Sequence, residues 1–360
     1  MDTNDYYTLL VPIFLALMAA DAWLARKQGL RSHYPPDTIA NLSCGLGQIL
    51  VGIFTGGMIL GTYSWALGRI ALFHWSRDSI LPWAIAFPLV DFCYYWFHRC
   101  SHRINALWVI HAVHHQSEEM NISVALRQPW FSDFSAFLFY WPLPLLGVPR
   151  AAFFFAVGCL SLYQVLLHTR LFAHPGRWGW LFNTPAHHRL HHAIDAAYRD
   201  RNFGSMLIIW DRLFGTFARE KHAPHFGIAP RFASWNPLWA QVAPLAAVIA
   251  TMRRARRPFD SLRVWWKPPE WKPPEARLED VVTPPTIPPR TVVKYARVQF
   301  IVIGIIALTT LWREQYLGAT WAVILVAVVL AGTGLVGALL DGTRFSSVRF
   351  RRSPATPSQS

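Results

Sequence analysis

Charged residues are scarce in this chain, and their scarcity limits the class of protein that it can be. Asp, Glu, Lys and Arg make up 15% of its 360 residues, whereas the hydrophobic types make up 53%. Soluble domains contain about 25% charged residues. The low charged content therefore argues against a string of soluble domains, which the length alone would allow, and indicates an integral membrane protein.

Cysteine is also rare, with four residues of which no two form a CxxC pair. The sequence thus predicts free thiols that pack as small hydrophobic groups, and no disulfide framework. A CxxCH segment for haem attachment is absent, and no histidine is followed by glutamate as in the HExxH motif of zinc proteases. These absences argue against a c-type cytochrome and against a zinc hydrolase.

The net charge of +14 could reflect binding to nucleic acid or contact with an anionic membrane surface. The Lys and Arg clusters lie next to apolar runs, in Ala25–Arg31, Met252–Pro258 and Val348–Arg352. Such clusters fit the positive-inside rule, and no basic stripe is interleaved with stacking aromatic residues. We therefore expect no nucleic-acid partner.

Long apolar runs predict an all-α, polytopic membrane helical bundle of about seven spans. These runs are Thr8–Ala25, Ile39–Ala66, Ile80–Phe97, Trp130–Leu167, Val298–Leu311 and Ala319–Leu340. Prolines and a glycine interrupt Trp130–Leu167, which predicts a hairpin of two spans there. Basic residues follow the first run instead of preceding it, which predicts a retained helix and not a cleaved signal peptide.

The same basic clusters set the expected topology. Counting spans from Arg26–Arg31 places both histidine-rich segments on the cytoplasmic face, which in a bacterium would be that of the inner membrane. The predicted domains are N-terminal membrane helices at 1–79, a catalytic domain at 80–230, a cytoplasmic amphipathic and proline-rich linker at 231–297, a membrane hairpin at 298–342 and a basic tail at 343–360.

Three histidine boxes carry the chemical signal of the sequence. They are an HxxxH at His98 and His102, an HxxHH at His111, His114 and His115, and a second HxxHH at His188, His191 and His192. On a helix, residues three or four apart lie on one side, so each box is expected to direct its imidazoles at one point.

The number of histidines favours more than one metal ion. Imidazole is a ligand for iron, zinc, copper and nickel. Eight histidines exceed what one tetrahedral zinc ion needs, and they suit two ions of higher coordination number. A proton relay in a transporter is the alternative, but relays need few groups, and the chain shows none of the repeat symmetry that transporters have. The boxes therefore predict a two-metal site at the ends of apolar helices.

The boxes and their surroundings resemble the fatty acid hydroxylase/sterol desaturase superfamily, and within it the alkylglycerol monooxygenase branch. The resemblance covers roughly Ile80–Glu275. It is carried by Tyr94–Arg99, His111–His115, Asn121–Gln128, Asn183–His192 and Leu207–Phe217.

This resemblance implies a di-iron monooxygenase that uses O2 to hydroxylate a lipid C–H bond. In the alkylglycerol branch that bond lies beside an ether oxygen, and the resulting hemiacetal breaks into an aldehyde and a glycerol lipid. The implied cofactors are two Fe ions, with tetrahydrobiopterin or another external reductant as electron donor, and the lipid substrate would enter from the bilayer. The implied metal ligands are the eight box histidines, with His168 and His187 as further candidates; His168 could instead support a ligand without binding.

Residues near the boxes are candidates to act beside the metal. Glu118, Asn121 and Arg127, which follow the second box, are the candidate catalytic residues, although a solvated loop would also explain Glu118. Asp91, which lies in the predicted helical run Ile80–Phe97, is expected to contact a metal-binding histidine without binding the metal itself. Other members of the superfamily act on sterols, hopanoids, carotenoids, ornithine lipids or fatty acyl chains, and the sequence separates these substrates poorly. A non-oxygenase metal-binding membrane protein or transporter is the alternative from another class.

Overall fold

The computed structural model describes residues 3–76, 79–276, 287–313 and 316–342. This described part is all-α, and its β-type pairing is confined to two isolated bridges, Phe182 with Leu207 and Ala193 with Phe226. The helices are α1 Thr3–Lys27, α2 Pro35–Ile70, α3 Leu81–Arg103, α4 Asn105–His115, α5 Ser132–Phe137, α6 Pro142–Leu145, α7 Arg150–Leu167, α8 Pro185–His191, α9 Ile209–Leu213, α10 Pro237–Arg254, α11 Pro258–Arg263, α12 Arg290–Arg313 and α13 Ala319–Leu340. Short 3-10 helices form at Ile122–Leu126, Arg177–Trp180 and Pro274–Ala276.

Four of the described helices, α2, α7, α12 and α13, are long and apolar enough to cross a membrane. Apolar side chains such as Ile305 and Leu335 remain more than half exposed on them, as expected for surfaces that contact lipid. The runs predicted as the first and third spans are helical, in α1 and α3, but they are not among these four. The helices thus support an integral membrane protein, while the count of seven spans stays a prediction.

The hairpin predicted at Trp130–Leu167 contains one long helix instead of two. Its second half is α7, of 18 residues, whereas its first half forms only α5 and α6, of 6 and 4 residues. Pro142 begins α6 and Pro149 precedes α7, and proline lacks the N–H group that an uninterrupted helix needs. The first arm is therefore too short to cross a bilayer, which requires about 20 helical residues.

Two glycines of α2 let the chain after the second box approach closely. A Cβ atom at Gly45 would lie 2.6 Å from the carbonyl oxygen of Leu126, and one at Gly47 would lie 2.3 Å from Nε1 of Trp130. A larger residue at Gly45 would displace the backbone at Leu126, and one at Gly47 would displace the Trp130 ring. The glycines therefore fix the position of the 3-10 helix Ile122–Leu126 against α2.

A buried apolar cluster joins residues of α2, α3 and α7. Tyr63 of α2 stacks on Phe153 of α7 with ring centroids 4.6 Å apart, and Val90 of α3 packs in the same cluster. Burial of this kind stabilises by roughly 25 cal/mol per Å² of apolar surface. The cluster lies beside the middle of α3 and so positions its C-terminal end, where the first histidine box lies.

The proline-rich part of the predicted linker contacts the start of α4. The first N–H groups of a helix have no partner within it. The Asn105 N–H donates to the carbonyl of Lys267 at 3.1 Å, and the Ala106 N–H donates to that of Trp265 at 2.9 Å. In its described part this segment is therefore a cap on the helix of the second box. Residues 277–286 of the predicted linker and the predicted basic tail at 343–360 lie outside the described residues.

Candidate metal centre

Three helix ends bring the histidine boxes together. His98 and His102 lie one turn apart at the end of α3, the second box ends α4, and the third box spans the end of α8. Only Ile104 separates α3 from α4, so the chain turns sharply and the first two boxes face each other. Pro185 begins α8, where a missing N–H group is tolerated and the fixed φ suits a helix.

The histidines form two buried groups, in each of which one ring nitrogen per residue lies within 4.8 Å of the others. We call them the first group, with His98, His102, His111, His115 and His191, and the second group, with His114, His168, His188 and His192.

Each HxxHH box is divided between the two groups. His111 and His115 point into the first group and His114 into the second, whereas His188 and His192 point into the second and His191 into the first. The expectation that each box would aim at one point was therefore wrong. On a helix, residues i and i+4 point in nearly the same direction, whereas residue i+3 is turned by about 100° from residue i+4.

The two groups adjoin each other. Within the first group, the rings of His98 and His191 are 4.2 Å apart, and within the second, those of His168 and His188 are 4.4 Å apart. Across the boundary, the rings of His191 and His192 are 5.4 Å apart. Two ions held in the groups would therefore be neighbours that one substrate could reach.

His168 and His187, the two additional ligand candidates, lie in different places. Nε2 of His168 lies 3.2 Å from Nε2 of His114 and 3.1 Å from Nε2 of His188, which places it inside the second group. His187 lies outside both groups: its Nδ1 is 3.3 Å from the Thr184 hydroxyl, and its ring contacts Phe217. The structure thus brings together nine of the ten predicted ligands.

Burial keeps these imidazoles neutral. It lowers the pKa of His168 to about 4. Burial first, and neighbouring histidines second, also hold the pKa well below its ordinary value for His111, His114, His115, His188, His191 and His192. A neutral imidazole keeps the lone pair with which it binds a metal. At neutral pH the groups are therefore ready to bind cations.

Several histidines are oriented by a hydrogen bond between Nδ1 of the ring and a backbone carbonyl. Nδ1 of His98 lies 2.8 Å from the carbonyl of Phe203, that of His191 lies 2.9 Å from the carbonyl of Arg201, and that of His114 lies 3.1 Å from the carbonyl of Arg127. A carbonyl acceptor selects the tautomer with its proton on Nδ1 and leaves the Nε2 lone pair for a metal.

The geometry of the nitrogens fits resident metal ions. Nε2 of His111 lies 3.1 Å from Nε2 of both His98 and His115. Imidazole nitrogens bound to one ion at about 2.1 Å are about 3 Å apart when their bonds are perpendicular. Nε2 of His102 and of His191 are buried without a hydrogen-bond partner, and unpaired buried polar atoms are costly. A metal ion in the first group would satisfy both.

The predicted catalytic residues lie around the groups and not within them. Glu118 is 40% exposed and forms an ion pair with Arg231 at the surface. Asn121 is fully buried, where it caps the 3-10 helix by accepting from the Ser123 N–H and donates to the Ser32 carbonyl.

Arg127 is also buried. It donates from Nε to the Val113 carbonyl, from Nη1 to Oδ1 of Asn41 and from Nη2 to Oε1 of Gln116, at 2.9 to 3.0 Å. Arg127 reaches the second group through its own carbonyl, which accepts from His114.

Two acidic residues support the site by accepting hydrogen bonds from nearby backbone N–H groups. One of them, Asp91, was anticipated from the sequence. Asp91 accepts from the Met206 N–H and from Nε1 of Trp210, both at 2.7 Å, so it holds the segment after the third box and not an imidazole. Asp211 accepts from the Phe203 N–H at 2.8 Å. Asp211 lies in Leu207–Phe217, one of the segments that carry the resemblance, but its role depends on tertiary contacts that the sequence does not reveal.

The described residues form an all-α fold with four helices long and apolar enough to cross a membrane and two adjoining buried histidine groups, each able to hold a metal ion. Residues 83–216, which contain both groups, match the family model of the fatty acid hydroxylases, so the chain carries a domain of the fatty acid hydroxylase family. The predicted resemblance to this superfamily is confirmed.

Similarity to individual proteins points the same way. Alkylglycerol monooxygenase of Xenopus tropicalis is 34% identical over 244 residues, which cover 67% of this chain and 54% of that protein. The Homo sapiens alkylglycerol monooxygenase is 32% identical over 275 residues, or 74% and 60%. The chain thus spans about half to three fifths of the length of these relatives. Ornithine lipid hydroxylase OlsE of Rhizobium tropici is 32% identical over 142 residues, or 38% and 43%. No solved structure matches the chain significantly.

Proposed function

We propose that the chain is a membrane di-iron monooxygenase that hydroxylates a C–H bond of a lipid with O2. The observation that carries this proposal is the pair of adjoining groups, in which nine buried histidines present their ring nitrogens to two positions. The names of the relatives, which are monooxygenases, hydroxylases and desaturases, support an oxygen-dependent oxidoreductase.

In this proposal each group holds one iron ion. The ligands are the five histidines of the first group and the four of the second, including His168 and excluding His187. Nitrogen donors suit iron, and nine of them exceed the need of one tetrahedral zinc. Bound iron would supply the reduction of O2 and the oxidation of the lipid C–H bond.

The residues of the chain orient the metal ligands, keep the imidazoles neutral and exclude water from the site. Backbone carbonyls hold the rings of His98, His114 and His191 in place. Burial of the site keeps the imidazoles neutral and excludes water, which would otherwise compete with an apolar substrate. We assign Asn121 and Arg127 a positioning role, because their contacts build the loop behind His114.

The proposed substrate is an alkylglycerol-type ether lipid that enters from the bilayer. One atom of O2 would be inserted into a C–H bond of the carbon beside the ether oxygen, and the other would leave as water after taking up two protons and two electrons, the electrons from an external donor such as tetrahydrobiopterin. The hemiacetal then breaks into a fatty aldehyde and a glycerol lipid. The second candidate is hydroxylation of an ornithine lipid or another lipid, which the similarity to OlsE favours.

We also propose that the chain crosses the membrane several times, with the site on the cytoplasmic face and domain boundaries at 79, 230, 297 and 342. The supports are the four apolar helices and the basic clusters beside them. Accessibility of single cysteines placed in Arg26–Arg31 and near Arg103 tests this arrangement, since both sites should react only from the cytoplasmic side.

Comparative lipid mass spectrometry tests the reaction. The wild type and His191→Ala are expressed in a host that is supplied with alkylglycerols, O2 and reduced pterin, with His187→Ala as the matched control outside the groups. Loss of ether lipid with appearance of fatty aldehyde in the wild type and the control, but not in His191→Ala, is the expected result.

Other results select other functions. Intact ether lipid with the gain of one oxygen on a different lipid would replace the substrate and keep the reaction class. No oxidised lipid in any sample, with iron still bound, would favour a metal-binding membrane protein or transporter without oxygenase activity.

A further inference from the structure

One short segment, Asp200–Phe203, lies against three histidines of the first group. Its Phe203 and Arg201 carbonyls accept from Nδ1 of His98 and His191 at 2.8 and 2.9 Å. Oδ1 of Asp200 lies 3.5 Å from Nδ1 of His102. We call these four residues the 200–203 clamp.

The backbone of the clamp is specialised for this contact. Asp200 and Asn202, which alternate with Arg201 and Phe203, both have φ of +57°. Asp and Asn are among the residues that tolerate this left-handed conformation. Asn202 anchors the clamp by donating from Nδ2 to the carbonyls of His187 and Ala218, both at 3.1 Å.

The first group thereby differs from the second. In the second group, the Nδ1 atoms of His114 and His168 lie next to backbone carbonyls, those of Arg127 and Gln164. In the first, the partner of His102 is a carboxylate, and Nη1 of Arg103 holds that carboxylate at 2.5 Å from its Oδ2. A carboxylate behind a histidine fixes the ring and makes its free nitrogen a stronger donor than a carbonyl does.

We propose that the 200–203 clamp orients the first group for metal and that Asp200, acting through His102, makes the first group the tighter of the two metal positions. This inference rests on the proposed function in that both groups must hold a metal. Asp200 is a positioning residue, since it lies behind the ligand. The two positions then fill in order, the first group before the second.

The test is an anaerobic Fe²⁺ titration of the full chain in detergent, with bound metal counted after equilibrium dialysis. Asp200→Asn removes the negative charge and keeps a residue suited to positive φ. The wild type should show two sites, and the variant should lose affinity at the tighter site by about 10–100-fold, with the other unchanged. Asp195→Asn, which removes an acid paired with exposed His225, is the control and should bind as the wild type does.

A double-variant comparison shows whether Asp200 acts through His102. In the background of His168→Ala, which removes a ligand of the second group, Asp200→Asn should still weaken metal binding by the first group. Added to His102→Ala, it should change affinity by less than about twofold, because coupled residues do not act additively. Asp200→Gly, which also accepts positive φ, replaces Asp200→Asn if that variant does not fold.

Two results would overturn the inference: equal weakening of both sites by Asp200→Asn, or undiminished weakening in the His102→Ala background. A wild type that binds fewer than two Fe²⁺ ions would instead overturn the proposed di-iron site, and the inference with it. The wild-type titration therefore separates the two failures.

Discussion

His115 and His192 stack their imidazole rings with centroids 4.5 Å apart and planes inclined by 26°, although they belong to different groups. They come from different boxes, at the ends of α4 and α8. This contact is the boundary between the two positions, so that a shift of either helix moves ligands of both. The two groups therefore form one centre.

The first prediction compares His191 with His187, which are close in the sequence but lie inside and outside the histidine groups, respectively. His191→Ala removes a ligand of the first group, whereas His187→Ala removes a ring that packs on Phe217 outside both groups. We expect His191→Ala to lower iron content by at least one equivalent, with affinity reduced at least about tenfold, and His187→Ala to keep the wild-type content. Metal analysis of the purified variants measures this, and equal loss in both would show that His187 is also a ligand.

The sequence was sufficient to predict most of the candidate ligands, because histidines repeat at helical spacing in three boxes. It did not predict how His114 separates from His111 and His115, since that depends on where α8 lies relative to α4. The 200–203 clamp was missed for a related reason. Backbone carbonyls carry no sequence signal, and the available hint, an Asp and an Asn in a loop after the third box, is common in turns.

Helix positions were predicted more accurately than their packing. Each of the four helices that can cross a membrane overlaps one of the predicted apolar runs, because hydropathy alone selects such segments. The prediction of a membrane-spanning arm before α7 was wrong, since that stretch forms only two short helices, α5 and α6. The contact between Lys267 and the start of α4 could not be predicted, because it joins segments that are far apart in the chain.

The second prediction concerns Arg127, which was expected to be catalytic. Arg127→Lys keeps a positive charge but cannot make the three bonds to Val113, Asn41 and Gln116. We expect the free energy of unfolding to fall by about 3 kcal/mol, since buried acceptors lose a charged donor. Denaturant titration in detergent measures this.

Glu118→Gln is the matched comparison for Arg127→Lys. It removes one charge of an exposed ion pair with Arg231, and such pairs contribute less than about 1 kcal/mol. If Glu118→Gln abolishes lipid oxidation while stability and iron content stay at wild-type values, Glu118 has the chemical role that the sequence suggested.

The third prediction is a pH dependence of stability that comes from Glu119. Burial, and then the neighbouring Asp37 carboxylate, raise its pKa to about 7 from the ordinary 4.5. Between these values the folded protein binds more protons than the unfolded chain, so this group's contribution to stability is present below pH 4.5 and is lost as pH rises through 7. Glu119→Gln should therefore melt at a higher temperature than the wild type at pH 8 and at nearly the same temperature at pH 5. An identical difference at both pH values would rule out this titration.

The fourth prediction tests whether α2 positions the loop behind the second group. A methyl group at Gly45 would lie 2.6 Å from the Leu126 carbonyl, whereas one at Gly52 would meet nothing within 4 Å. Gly45→Ala should lower the free energy of unfolding by about 1–3 kcal/mol, as overpacking does, and Gly52→Ala should change it by less than about 1 kcal/mol. Because Leu126 precedes Arg127, whose carbonyl orients His114, Gly45→Ala should also weaken iron binding at one position. Lower stability with both iron affinities intact would mean that the loop moves without carrying His114 along.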